Sequence, residues 1–361
     1  MKILIFKKTL MQRYRALLHI LDELLDAGHE VFAYRRGGKQ GSISKGGKQI
    51  TPSEDYNPAT WYKAPWDIDC ASSGAIHYMA RQLGIEVKGI NKIQWADPRK
   101  GKVKPDLILG TDYVALKSTN QINIPYNDFF CKTYWGDALV GNGMCESFKK
   151  RQNKVEEVKG QLLIPHPGGG RTILSPLRDH IAKWEVIENN IKLFRKMLKL
   201  LPSTITKVII KIHPAPYLYC DITTFEEKVM SKLYDEFDVD IEVVNSDMLG
   251  HMCKSEYILT LGSSTTIWLL GSDKKWLNIT ECAKYDLDSK KRRDKQERTK
   301  NWQYWPQNIT FEEMTDALSD YNNFIQWSDD GLILQKLYNG RFNMNCTENI
   351  IEVIDNVGRR K

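Results

Sequence analysis

His213 and the hydroxyl cluster Ser263-Ser-Thr-Thr266 are the groups in this chain best suited, by type and spacing, to hold a phosphate. His213 closes the run Lys207-Val-Ile-Ile-Lys-Ile, whose β-branched residues suit a buried strand, and Pro214 turns the chain sharply behind it. A second apolar run, Tyr257-Ile-Leu-Thr-Leu-Gly262, leads directly into the four hydroxyls, and the helix-like Ile267-Trp-Leu-Leu-Gly271 follows. Hydroxyls and unpaired N–H groups at a helix start bind anions, and an imidazole N–H can donate to a phosphate oxygen. A turn histidine bonded to backbone is the plainer alternative for His213.

Positioning both groups requires parallel strands. An open α/β sheet places its ligands outside the carboxyl ends of its strands, so the loops after two such strands can serve one ligand. The pairing of Lys-x-His-Pro with a Ser/Thr cluster before a helix resembles the carboxyl half of GT-B glycosyltransferases over roughly residues 160 to 282. The pattern is similar to that of the capsule and teichoic-acid type enzymes: the Kdo, sialyl and polysialyl transferases and the CDP-glycerol polymerases. The resemblance implies an α/β chain of the GT-B class, with two Rossmann-like doubly wound domains facing a central cleft. It implies donor contacts from Lys211 and His213, from Ser263, Ser264, Thr265 and Thr266, and from Asn245 and Ser246 at the base.

Other segments supply candidates of their own. In Pro165-His166-Pro167-Gly168-Gly169-Gly170-Arg171, Gly169 and Gly170 let backbone approach a ligand and Arg171 offers a fork of donors to phosphate; a tight turn is the alternative. Pro105-Asp-Leu-Ile-Leu-Gly110-Thr-Asp112 reads as a buried strand ending in a polar turn. That makes Asp112 the candidate base, with Asp128 and Asp137 weaker ones, though each also suits a turn or helix cap. Trp61 and Trp66 lie in a Pro-containing loop where aromatic faces can stack on sugars or bases, or pack on the domain.

Length and charge bound the possibilities. A chain of 361 residues with 42% apolar content supports two separately cored domains, expected at 1–155 and 156–330, with 331–361 as a terminal helix returning to the first. Two local patches each contribute +5 to a net +7: Arg35, Arg36, Lys39, Lys45 and Lys48, and the run from Lys290 to Lys300. Such patches favour an anionic nucleotide sugar, an acidic glycan, DNA or a peripheral membrane surface, and equally describe two solvated loops. Seven scattered cysteines without a Cys-x-x-Cys pair fit reduced thiols, and no structural metal is expected. No apolar run reaches membrane-spanning length, so a cytoplasmic protein is expected.

Periodicity gives the remaining elements. A helix is predicted from Leu10 to Leu25 with Gly28 as its stop, a flexible Gly-rich segment from Gly37 to Gly47, an exposed strand at Ile85–Lys88, and a linker at 149–159. A strand is predicted at Gln161–Ile164, a helix from Trp184 to Leu201, another from Phe225 to Phe237, strands at 241–244 and 276–279, a Thr310/Glu313 capping box, and a final helix through Ile350 and Ile354.

The expected activity is metal-independent transfer of a sugar, from a UDP- or CMP-sugar, to an acceptor hydroxyl on a glycan or surface polysaccharide. His213 and Arg171 would stabilise the leaving phosphate, Asp112 would take the acceptor proton, and Arg35, Arg36, Lys39, Trp61, Trp66 and Asp128 would face the acceptor. No cofactor is expected beyond the donor. Three rivals share the architecture: transfer to hydroxymethylated DNA bases, a UDP-sugar 2-epimerase, and a non-catalytic nucleotide- or glycan-binding module.

Overall fold

The computed structural model describes residues 1–6, 20–34, 43–45, 48–50, 80–81, 83–89, 92–96, 104–110, 120–123, 143–166, 183–212, 222–261, 269, 272–279, 308–324 and 345–359. The chain divides into two compact units. The first comprises Met1–Asn57, Lys63–Lys149 and Tyr338–Lys361; the second comprises Pro58–Tyr62 and Lys150–Leu337.

In the first unit β1 (Lys2–Phe6) leads to α1 (Leu21–Asp26) and β2 (Glu30–Tyr34). Gly28, with φ of 78°, ends α1: its N–H reaches Leu25 O at 3.0 Å and that of His29 reaches Leu24 O at 3.1 Å. This paired closure requires a left-handed residue, which glycine adopts without a Cβ penalty. At the end of the segment expected to be flexible, β3 (Ile43–Lys45) pairs antiparallel with β4 (Lys48–Ile50), which follows it; the intervening Gly46-Gly47 is a dipeptide suited to a two-residue hairpin. The strand expected at Ile85–Lys88 does not form. The Asp22 carboxylate accepts the N–H groups of Lys88 (2.8 Å) and Gly89 (2.7 Å), which ties the segment to α1, and the edge strand is instead β5 (Gln94–Ala96). With β6 (Leu107–Gly110) and β7 (Asn120–Asn123) the sheet runs β5-β2-β1-β6-β7, every pair parallel.

The stretch read as a linker, 149–159, begins in the last turn of α2 (Gly143–Gln152) and ends in the next strand, β8 (Val158–Pro165), which begins three residues before the apolar run. Gly160 explains the early start: its φ is 72°, its N–H donates to Glu256 Oε2 at 2.8 Å, and a Cβ there would lie 2.8 Å from Thr204 O. After β8 come α3 (Lys183–Lys199), β9 (Lys207–Lys211), α4 (Ile222–Lys228), β10 (Asp240–Val244), α5 (Met248–Lys254), β11 (Ser255–Thr260), β12 (Lys275–Ile279), β13 (Asn308–Ile309) and α6 (Met314–Ser319). The Phe225–Phe237 stretch is α4 followed by two 3-10 turns, Met230–Lys232 and Tyr234–Glu236, rather than one helix. Phe225, Val229, Met230 and Leu233 are still buried, because eclipsed i, i+3 positions of a 3-10 turn serve the same face, while Tyr234 is exposed.

This second sheet runs β10-β9-β8-β11-β12-β13 and is parallel throughout. Numbered within the unit, that is the 3-2-1-4-5-6 order of a doubly wound fold, and the first sheet, its antiparallel hairpin aside, repeats it as 3-2-1-4-5. On one face Leu162, Ile164, Val208, Ile210, Leu259 and Leu277 pack with Phe194, Met197, Phe225, Met314 and Leu318 from α3, α4 and α6. The alternate residues Leu163, Ile209, Ile258 and Trp276 are buried too, and α5 packs on β8 and β11. Strands covered on both faces must be apolar at every position, hence the unbroken runs in the sequence.

The predicted capping box ahead of α6 is present and reciprocal, with Thr310 N to Glu313 Oε2 at 2.7 Å and Glu313 N to Thr310 Oγ1 at 3.3 Å. The final helix, α7 (Cys346–Arg359), belongs to the first unit. Glu146 of α2 holds its start, accepting from Thr347 N (2.8 Å) and Thr347 Oγ1 (2.9 Å), while Ile350 and Ile354 are buried.

Candidate functional site at the carboxyl edge of the second sheet

Register sets the strand ends of the second sheet level with one another. Lys211 on β9 stands opposite Pro165 on β8 and Val244 on β10. Past the strands the alignment is held by His166 N to Lys211 O (2.9 Å) and Ile212 N to Val244 O (2.8 Å). On the other side Ile258 pairs with Leu163, and continuing that register brings Thr260 level with Pro165. Strands β8 and β11 are the neighbours between which the winding reverses, the point where open sheets of this order bind ligands.

At this edge β8 is followed by His166, a buried imidazole whose Nε2 contacts Asn190 Oδ1 at 2.8 Å. The ring stacks on Phe194 at 5.6 Å between centroids and tilts against Phe225 at 5.2 Å. Burial pushes its pKa down to about 4, against a partial upward pull from Asn190, so the ring is neutral at physiological pH. A neutral imidazole wedged between two phenylalanines anchors the strand end; it is not a proton donor for chemistry. The glycine run with Gly169, Gly170 and Arg171 follows His166 in sequence and lies outside the described residues.

Lys211 closes β9, and its side chain is buried on the α5 side of the sheet. Its Nζ donates to Ile212 O at 2.8 Å, and burial brings its pKa down to about 7 while the Asp247 carboxylate raises it. The ammonium is thus easily gained or lost near neutrality. His213, two residues on, lies outside the described residues.

Strand β10 runs into Asn245 and Ser246, both half-buried, and then Asp247, whose φ of 50° is left-handed. Asp247 caps α5 by accepting Gly250 N at 3.2 Å, and it takes both arms of the Arg151 guanidinium at 2.7 and 2.8 Å. His251 on the first turns of α5 is held below the usual imidazole range, chiefly by burial, with Asp247 and Glu242 opposing. One carboxylate, two cationic side chains and a histidine therefore share the end of β9 and β10.

Strand β11 ends on Thr260, whose Oγ1 donates to Asn278 Oδ1 at 2.8 Å in the buried middle of the sheet. The hydroxyls Ser263, Ser264, Thr265 and Thr266, two to five residues beyond the described Leu261, lie outside the described residues. So do Asp112, Asp128, Asp137, Arg35, Arg36, Lys39, Trp61 and Trp66. Of the sequence-derived donor residues, Lys211, Asn245 and Ser246 are described, and all three are at this edge.

Sequence reasoning missed Arg151, Asp247 and Gly250. Arg151 and Asp247 are separated by 96 residues and carry no local motif; the signal available was a lone aspartate ahead of an apolar helix, a common capping pattern. The triplet Asp238-Val-Asp240 opens β10 at the opposite, amino edge, where Asp240 pairs with Lys207 at 3.2 Å. Among the described residues no group of three or more His, Cys, Asp or Glu could hold a metal ion, and no helix is long and apolar enough to cross a membrane.

No protein-family model matches the chain, and a search of curated proteins finds no relative. Similar solved structures include two that span nearly the whole chain. One is Methanocaldococcus jannaschii UDP-GlcNAc 2-epimerase in complex with UDP-GlcNAc and UDP, 12% identical, covering 93% of this chain and 98% of that one, with a TM-score of 0.41. The other is Acinetobacter baumannii MurG, 11% identical, covering 98% and 99%, with a TM-score of 0.42. At this similarity neither an activity nor a substrate passes from those proteins to this chain.

Proposed function

We propose that the carboxyl edge of the second sheet holds the nucleotide of a nucleotide-sugar donor, and that the chain is a glycosyltransferase of the GT-B class. The observation that supports this most is the level edge at the reversal of winding. Four segments follow its strands in sequence: the glycine run with Arg171, His213, Asn245-Ser246, and the Ser263–Thr266 cluster. Together they have the chemistry a nucleoside phosphate needs, and two of the strands that carry them, β8 and β11, flank the reversal point.

In this reading Ser263, Ser264, Thr265 and Thr266 donate to phosphate oxygens, and His213 donates to the oxygen that gains charge as the sugar departs. Arg171 adds a fixed positive charge. Lys211 supplies an ammonium that the anion favours. Asn245 and Ser246 meet the base. Asp112, which follows β6 of the first sheet in sequence, takes the proton of the acceptor hydroxyl, and the basic residues Arg35, Arg36 and Lys39 attract an anionic acceptor.

The test is release of free nucleotide from UDP- and CMP-sugars, followed with and without hydroxyl acceptors. Acceptor-dependent release is expected, with His213→Ala lowering the rate at least about 100-fold while the protein stays folded. Conversion of the sugar without acceptor would replace this reading by epimerisation. A normally active, folded His213→Ala protein would remove the role given to that residue.

A further inference from the structure

The bond between Arg151 and Asp247 has a geometry that capping alone does not require. A capping aspartate needs one oxygen on a helix N–H, and Asp247 already has this through Gly250. Yet each of its carboxylate oxygens also accepts from a separate nitrogen of one guanidinium, Arg151 at the end of α2, at 2.7 and 2.8 Å. Its backbone is held in the left-handed region, uncommon for a residue with a side chain, and its carbonyl accepts His251 N at 3.0 Å. Room for the arrangement comes from Gly250: a Cβ there would run into the Asp247 carboxylate and lie 2.6 Å from Arg151 Nη2. The residues immediately before this fixed point are Ser246 and Asn245, the two-residue link between the end of β10 and the Asp247 cap of α5.

We infer that Arg151, acting through Asp247, positions the Asn245-Ser246 turn against the base of the bound nucleotide, with Gly250 leaving the space for it. Arg151 is a positioning residue in this scheme. The inference rests on the donor-site reading above and adds to it a device outside the four ligand loops. A bidentate fork fixes the plane of a carboxylate where a lysine point charge does not, so Arg151→Lys retains the charge and loses the orientation. The effect belongs to the base end of the ligand, so it must spare a ligand without a base.

The experiment measures equilibrium binding of UDP, CMP, CDP and GDP, and of inorganic pyrophosphate, to the full chain and to Arg151→Met and Arg151→Lys, with melting temperatures alongside. The expected result is a Kd for the preferred nucleotide at least about 10-fold higher in Arg151→Met, a smaller rise in Arg151→Lys, and discrimination among bases reduced. Pyrophosphate binding stays unchanged. Equal weakening of nucleotide and pyrophosphate, or no change in either, overturns the inference and leaves the donor site standing. If the wild-type chain binds none of the nucleotides, the donor site falls and the inference with it. Should Arg151→Met not fold, Arg151→Lys carries the same comparison.

Discussion

Two buried side chains at the candidate site carry opposite lessons about charge. Lys211 is held near a pKa of about 7 by burial, while in the unfolded chain it titrates at its ordinary 10.5. Between those values the unfolded state binds more protons, so stability rises with pH across that window and carries the full cost below it. Lys211→Met, similar in volume and without the charge, is therefore expected to raise the melting temperature at pH 6.5 by about 5 °C and to weaken nucleotide binding. Calorimetry showing a lower melting temperature would refute the placement of that ammonium. His166 behaves as a structural neutral base. Its folded value of about 4 lies below its ordinary 6.5, so its contribution is complete above 6.5 and is lost as pH falls from 6.5 to 4. At pH 5 the loss is about 2 kcal/mol, and urea titrations at pH 7 and 5 should show His166→Phe with a shallower acid loss than the wild type by that amount.

The second sheet is secured at its amino edge independently of the ligand edge. Lys274, buried just ahead of β12, donates to Glu157 Oε2 at 2.7 Å, Cys253 O at 2.6 Å and Ser255 O at 2.8 Å. It thereby ties the starts of β8, β11 and β12 together. Removing it leaves a half-buried carboxylate and two carbonyls without that partner, so Lys274→Met should cost about 3 kcal/mol in chemical unfolding with nucleotide affinity unchanged. A loss of affinity larger than the loss of stability would place Lys274 in the wrong structural role. At this scale the sequence was readable where one element filled one apolar run: β9, β11 and β12 are continuous because both faces are covered, and Thr310 with Glu313 marked the start of α6. It was misleading where a distant group decided the outcome. Ile85–Lys88 alternates like a strand, but the Asp22 carboxylate, over sixty residues away, takes the N–H groups of Lys88 and Gly89 at its end. Gly160, inside a strand rather than before it, concealed the start of β8, and the Gly46-Gly47 hairpin was obscured by its glycine-rich surroundings. The strands that precede the candidate site residues were legible; the Arg151–Asp247 clamp at the end of β10 was not, since nothing local in either segment points to the other.

Across the whole molecule the same winding occurs in both units, so a single chain carries two sheets whose strand order reverses by one rule. To the second of these the residues proposed for phosphate binding are assigned, and the claim that it binds a nucleotide is the one from which the proposed activity follows. The most direct test is a titration of the chain with UDP, CMP, CDP and GDP by calorimetry, repeated on His213→Ala and Ser264→Ala. Selective binding of one nucleotide is predicted, with each substitution raising its Kd at least about 10-fold while the melting temperature without ligand is kept. Failure of all four to bind, or binding that both substitutions leave untouched, would contradict it.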